Sequence, residues 1–194
     1  PDAAALGKSV KAAIAAGIPV VSMNSGSDDY ASLGISAHVG QTEFEAGVGG
    51  GQKMKAAGGK KALCVNHEVG NVALDRRCAG FKKGFGGSVD ILGTSNDPTE
   101  IQKAVAAKLG GGYDTILTLG AGLSGEAALK ALEAAGKVGN VKLGTFDMSP
   151  NMLKAAAAGK VEFLIDQQQY LQGYLPIAIF AQYMRWGTMP AGVV

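Results

Sequence analysis

Three polar groups and one glycine-rich turn stand where a chain of this pattern would meet a small molecule. Asn24 ends the apolar run Ile18-Pro19-Val20-Val21-Ser22-Met23; its amide both donates and accepts, as a hydroxyl-bearing ligand requires, while the following Ser25-Gly26 offers plain turn chemistry as the alternative. Arg76 and Arg77 lie in a helical pattern, and one guanidinium of such a pair, with five fixed donors, suits vicinal hydroxyls or a carboxylate. Asp147 follows Phe146 at the end of the apolar stretch Val141–Phe146. There a carboxylate can accept two hydroxyl protons while the ring covers an apolar ligand face; N-capping ahead of Ser149-Pro150 is the competing role. Gly120-Ala121-Gly122-Leu123-Ser124-Gly125 spells G-x-G-x-x-G between a predicted strand and helix, with Asp147 further on. That is the dinucleotide-binding pattern, in which a helix amino terminus takes the pyrophosphate and the acid a ribose hydroxyl. It falls on the third strand of its predicted lobe instead of the first, which favours an ordinary strand-to-helix turn lining a cleft.

Catalytic chemistry finds little here. His38 and His67 are the two histidines, no G-x-S-x-G is present, and no ligand cluster for a metal stands out. No catalytic residue, metal or cofactor is expected. Cys64 and Cys78 fall on a predicted strand and the next helix; two buried thiols are the favoured reading, with a disulfide the alternative in an oxidising compartment.

The elements that would position these residues follow from periodicity. Short Val/Ile/Leu-rich runs alternate with amphipathic segments, the pattern of βαβ units around a parallel sheet. Strands are predicted at 19–23, 62–66, 89–94, 115–119, 141–146 and 161–166, and helices at 5–16, 44–57, 73–84, 98–110, 124–135, 150–158 and 171–186. Gly17, Gly136 and Gly159 sit at C-cap positions and Pro98 and Pro150 in first turns, so punctuation agrees with period. The start supplies one strand before a long connection at 34–50, too little for a sheet of its own. The chain has 194 residues, 47% hydrophobic, with 18 basic and 16 acidic side chains and 30 glycines. The charges are scattered, without the basic stripe that nucleic acid demands. The longest apolar run, Leu175–Ala181, is too short to span a bilayer, and Pro1-Asp2-Ala3-Ala4-Ala5 lacks the pattern of a secretory signal, so a mature, truncated or cytosolic chain is expected.

Taken in order, Ala16–Asn24, His38-Val39-Gly40-Gln41, Asp75–Phe81, Gly144-Thr145-Phe146-Asp147 and Ile165-Asp166-Gln167-Gln168 resemble the successive blocks of the ribose-binding-protein-like, type I periplasmic solute-binding proteins of sugar ABC transporters. The resemblance implies an α/β Venus flytrap of two lobes with parallel sheets flanked by helices, closing on a sugar or sugar-like solute. It implies a C-terminal lobe at 41–167 and an incomplete N-terminal lobe at 1–40 and 168–194, since family members carry three further strand-helix units upstream and continue beyond the end seen here. The ligand-binding residues it implies are Asn24, Asn71, Arg77, Phe146, Asp147 and Gln167, with His67 a weaker candidate beside Asn71 and Asp166 bridging hinge strands. Ala121 departs from the family, where many members place a ligand-contacting Asn. The implied partners are a monosaccharide or polyol and the membrane permease of an importer, with no nucleic acid; the implied state is a periplasmic monomer. A Rossmann-type oxidoreductase and the sugar-sensing core of a lactose-repressor-like regulator are the alternatives.

Overall fold

The computed structural model describes residues 3–190 and 192–194; Pro1 and Asp2, the polar start of the sequence, lie outside them. In chain order the elements are α1 (Ala3–Ala15), β1 (Val21–Met23), β2 (Ala37–Val39), α2 (Glu43–Ala56), β3 (Lys61–Asn66), α3 (Val72–Phe85), β4 (Ser88–Gly93), α4 (Pro98–Lys108), β5 (Thr115–Thr118), α5 (Glu126–Ala134), β6 (Lys142–Phe146), α6 (Pro150–Ala157), β7 (Phe163–Ile165), α7 (Gln169–Trp186) and β8 (Gly192–Val193). The caps behave as their residue types require. Asp97 accepts from the Thr99 and Glu100 N–H groups ahead of Pro98, Ser149 accepts from Met152 ahead of Pro150, and Gly17, Gly136 and Gly159 are left-handed.

The chain divides into two compact units, Pro1–Glu43 with Gln167–Val194, and Phe44–Asp166. The second unit is built on a five-stranded parallel sheet in the order β4-β3-β5-β6-β7. Successive residues of a strand face opposite sides, and each side is covered. Leu63, Val65, Ile116 and Leu143 pack with Ile101 and Val105 of α4, Leu132 of α5 and Met152 of α6. Ala62, Cys64, Leu117 and Phe146 pack with Met54 of α2 and Cys78, Phe81 and Phe85 of α3. Burying each of these large side chains contributes about 1.5–3 kcal/mol. From β3 the chain moves outward to β4, then returns across β3 to β5, so the direction of winding reverses between β3 and β5. At such a switch point flanking helices depart to opposite faces and open a crevice beyond the carboxyl ends of the strands.

The helix α3, which carries Arg77, is seated by two unusual contacts. One is an approach of helix backbones. A Cβ on Gly80 would lie 2.0 Å from the Phe44 carbonyl oxygen, one on Gly84 2.1 Å from that of Val48, and one on Gly47 2.3 Å from that of Arg77. α2 and α3 therefore touch backbone to backbone, which only glycine permits. The other is covalent. Cys64 of β3 and Cys78 of α3 form a disulfide, with Cα atoms 5.9 Å apart. The expectation of two free thiols is corrected: the strand and the helix that follows it lie on one face of the sheet, which brings the two sulfurs to bonding distance.

In the first unit, β1, β2 and β8 form a parallel sheet with β2 central. Val21 pairs with Ala37, and Ala37 with Gly192. The sequence reading placed residues 37–39 in a long connection and found a single strand here. That is also corrected, because three residues between Ser36 and Gly40 show no period, and the strand exists through partners far away in the chain. His38 of β2 is fully buried. Its ring stacks on Tyr30 and its Nδ1 lies 2.8 Å from Ser22 Oγ, while Nε2 has no hydrogen-bond partner.

Candidate functional site

At and just past the carboxyl ends of the strands of the second unit stand Asn66 and His67 at β3, Leu119 and Gly120 after β5, and Phe146 and Asp147 at the end of β6. Arg77, one residue before the disulfide, reaches across from α3. It is 5% exposed, donates from an Nη to the Leu119 carbonyl at 3.3 Å, and holds its guanidinium carbon 4.5 Å from the centre of the Phe146 ring. A planar cation stacked on a ring and anchored to a carbonyl is held in one orientation. Phe146 is fully buried. Its ring supports the guanidinium. Of the two arginines, Arg77 is buried and Arg76 is exposed.

Asp147 is half-buried, and its backbone is left-handed at φ 67° while its N–H donates to the Ile165 carbonyl at 2.9 Å. A non-glycine residue in that conformation costs about 1–2 kcal/mol, and such strain concentrates at binding and catalytic sites. Capping of α6 belongs to Ser149, whose Oγ accepts from Met152 N and donates to Glu126, so capping is not the role of Asp147. Gly120 forms the floor between these groups. A Cβ at Gly120 would lie 3.2 Å from the His67 ring and 3.7 Å from Asp147 Oδ2. Burial holds the His67 imidazole below its usual value; the Glu68 carboxylate opposes this, Arg77 adds to it, and Asp147 opposes it.

Asn71 is the N-cap of α3, accepting from Ala73 N at 3.0 Å and donating to Glu68 at 2.9 Å. Asn66, which the sequence reading passed over, is 2% exposed and donates to Asp75 at 2.8 Å while accepting from Glu68 N. Its signal was available, since it ends an apolar strand just as Asn24 does. The G-x-G-x-x-G segment forms a tight turn leading into α5. The Ser124 and Gly125 N–H groups both donate to the Gly120 carbonyl, two donors that a pyrophosphate at a helix start would use. Gly125 sits 3.1 Å, measured from a Cβ built on it, from Thr145 Oγ1. Gly125 thus serves close packing.

Asn24 and Gln167 lie in the first unit. Asn24, also left-handed at φ 66°, donates to Gln172 at 3.0 Å. Gln167 is buried and accepts from Gln41 at 3.1 Å, and its carbonyl accepts from Gln172 at 2.6 Å. Gln41 also donates to Glu43 at 2.9 Å. Asn24, Gln172, Gln167 and Gln41 thus form one amide network, of which Gln172 was not foreseen. Asp166 is exposed. Among the described residues no group of three or more His, Cys, Asp and Glu could hold a metal ion, and no helix is long and apolar enough to cross a membrane.

The fold recurs in known proteins. The chain is similar to a carbohydrate transporter from Acidothermus cellulolyticus 11B solved with myo-inositol, at 34% identity and a TM-score of 0.93, covering 100% of this chain and 68% of that one. It is similar in fold to a periplasmic sugar-binding protein from Legionella pneumophila, at 24% identity and a TM-score of 0.84, covering 100% and 74%. A solute-binding protein from Bacillus halodurans C-125 with bound myo-inositol is 22% identical, with a TM-score of 0.79, covering 100% and 69%. No curated protein matches. A family model described as the periplasmic binding protein domain matches residues 1–188. With its parallel sheets flanked by helices and its polar groups gathered at strand ends, the chain belongs to the periplasmic binding protein family.

Proposed function

We propose that the chain binds a sugar or cyclic polyol, without transforming it, and delivers it to the membrane permease of an ABC importer. The observation that carries this reading is the Arg77–Phe146–Asp147 group: a fixed fork of donors beside a carboxylate acceptor at the carboxyl edge of a parallel sheet. A hydroxyl needs one donor and one acceptor, and such a pair supplies both. The relative solved with myo-inositol, at 34% identity, supports a polyol as ligand. In this reading Phe44–Asp166 corresponds to the C-terminal lobe, and Asn24 and Gln167 of the other unit are further ligand contacts. Asn71 assists by capping the helix of Arg77. The disulfide supports residence in an oxidising compartment such as the periplasm, and the protein works as a monomer. Ligand shifts the population of conformers towards the one that the permease engages.

Thermal melting of the 194-residue chain with myo-inositol, D-allose, D-ribose and D-glucose tests this, with NAD as a control for the G-x-G-x-x-G turn. Ligand at about a hundred times its Kd stabilises by about 2.7 kcal/mol, a rise of about 5–10 °C for a chain of this size. That rise should vanish in Asp147→Ala. A response to NAD alone would overturn the reading.

A further inference from the structure

His67 was a minor candidate in the sequence, and the structure gives it a definite place. Its Nδ1 lies 3.3 Å from the Oγ of Ser124, and that Oγ lies 3.0 Å from the Gly120 carbonyl. Ser124 is fully buried. A serine hydroxyl has one proton, and the shorter contact, the helical back-bond to the carbonyl four residues earlier, takes it. Oγ then accepts from His67, whose proton sits on Nδ1, and Nε2 presents a lone pair. The point above Gly120 where a side chain would begin is 3.6 Å from Nε2 and 3.7 Å from Asp147 Oδ2. Both acceptors address the same small volume, held open because residue 120 has no Cβ. The charged groups around the ring are Glu68, Arg77 and Asp147.

We propose that His67 is a specificity-determining contact of this site: its Nε2 accepts the proton of a ligand hydroxyl adjacent to the one that Asp147 holds, selecting ligands whose neighbouring hydroxyls are both free. The inference rests on the polyol-binding reading and deepens it. A carboxylate alone takes a hydroxyl of many geometries. Two acceptors that both lie within 3.7 Å of one point over Gly120 suit the protons of two neighbouring hydroxyls, and a ligand lacking either forgoes one of these hydrogen bonds.

Calorimetric titration of the 194-residue chain with myo-inositol, D-allose and D-ribose, and with their monodeoxy analogues, tests it. His67→Leu should weaken the parent ligand about tenfold, the worth of one neutral hydrogen bond. His67→Gln, which returns an acceptor near Nε2, should stay within about threefold of wild type, well short of the loss of a whole bond. One monodeoxy analogue should bind wild type and His67→Leu equally, which a merely structural role for His67 would not produce. Nitrogen NMR of the ligand-free chain should show the Nδ1–H tautomer. Equal binding of the parent ligand by wild type and His67→Leu, or an Nε2–H tautomer, overturns the inference while leaving the polyol reading standing. A wild type that binds none of the probes brings down the polyol reading, and this inference with it.

Discussion

Asp147 combines a strained backbone with a useful side chain, and the two can be separated by substitution. Glycine adopts φ 67° without the Cβ penalty, whereas alanine keeps the penalty and loses the carboxylate. Asp147→Gly should therefore be more stable than Asp147→Ala by about 1 kcal/mol in urea unfolding, while both lose ligand binding. Equal stabilities would mean that the left-handed backbone carries no cost. Arg77 offers the complementary case. Lysine retains the charge but neither the stacking on Phe146 nor the fork that reaches Leu119. Arg77→Lys should cost about 0.5–2 kcal/mol of stability and should weaken ligand binding more than melting alone would suggest. Both residues could be nominated from the sequence by type and place. Their conformations could not, because φ at Asp147 is set by the Ile165 carbonyl on β7, and the Arg77 stack by a ring on β6.

Among the elements, α3 matters most to the site, and its seating yields two checks. Gly80 and Gly84 meet the backbone of α2 at distances no Cβ tolerates, so Gly80→Ala must push the helices apart. The cost should be about 1–3 kcal/mol or more, with weakened ligand binding because Arg77 moves with its helix. A neutral Gly80→Ala in denaturant titration would contradict the close approach. The disulfide closes a loop between residues 64 and 78, a sequence separation of 14, for which chain entropy assigns about 3 kcal/mol. Both cysteines are buried. Thiol titration should find no reactive sulfur in the native chain, and Cys64→Ala/Cys78→Ala should unfold at correspondingly lower urea. Helices and most strands were legible because period, caps and turn residues are local. The backbone contact of α2 with α3 was not, since glycines in a helical pattern read as weak helix formers until the neighbouring helix is seen.

For the whole molecule, the buried histidines tie stability to pH. Burial lowers the value of His38, with the Glu43 and Asp28 carboxylates opposing, and that of His67 with Glu68 and Asp147 opposing. The unfolded chain, whose histidines titrate near 6.5, then binds more protons than the folded one as pH falls through that value. Stability is full above about pH 6.5 and declines below it. Glu126, held below the ordinary carboxylate range by the Ser149 hydroxyl and the Asn151 amide, adds a second loss as pH falls through its depressed value. Urea midpoints measured from pH 8 to 4 should show the first decline, reduced in His38→Phe; a flat profile down to pH 5 would contradict the burial of these rings.

By itself the sequence determined an α/β chain with parallel strands, the ends of most elements, and the strand-terminal positions of Asn24 and Asp147, because each follows from side-chain period and turn chemistry over a few neighbouring residues. Tertiary structure decided what depends on distant partners. It made a strand of Ala37–Val39 by pairing it on both sides, joined Cys64 to Cys78, buried Phe146 beneath Arg77, and set His67 against Ser124 above a glycine floor. A strand of three residues, a sulfur pair and the orientation of a ring carry no local signature. They are fixed only when the sheet closes and each group must find its hydrogen bond, its partner or its packing in a crowded interior.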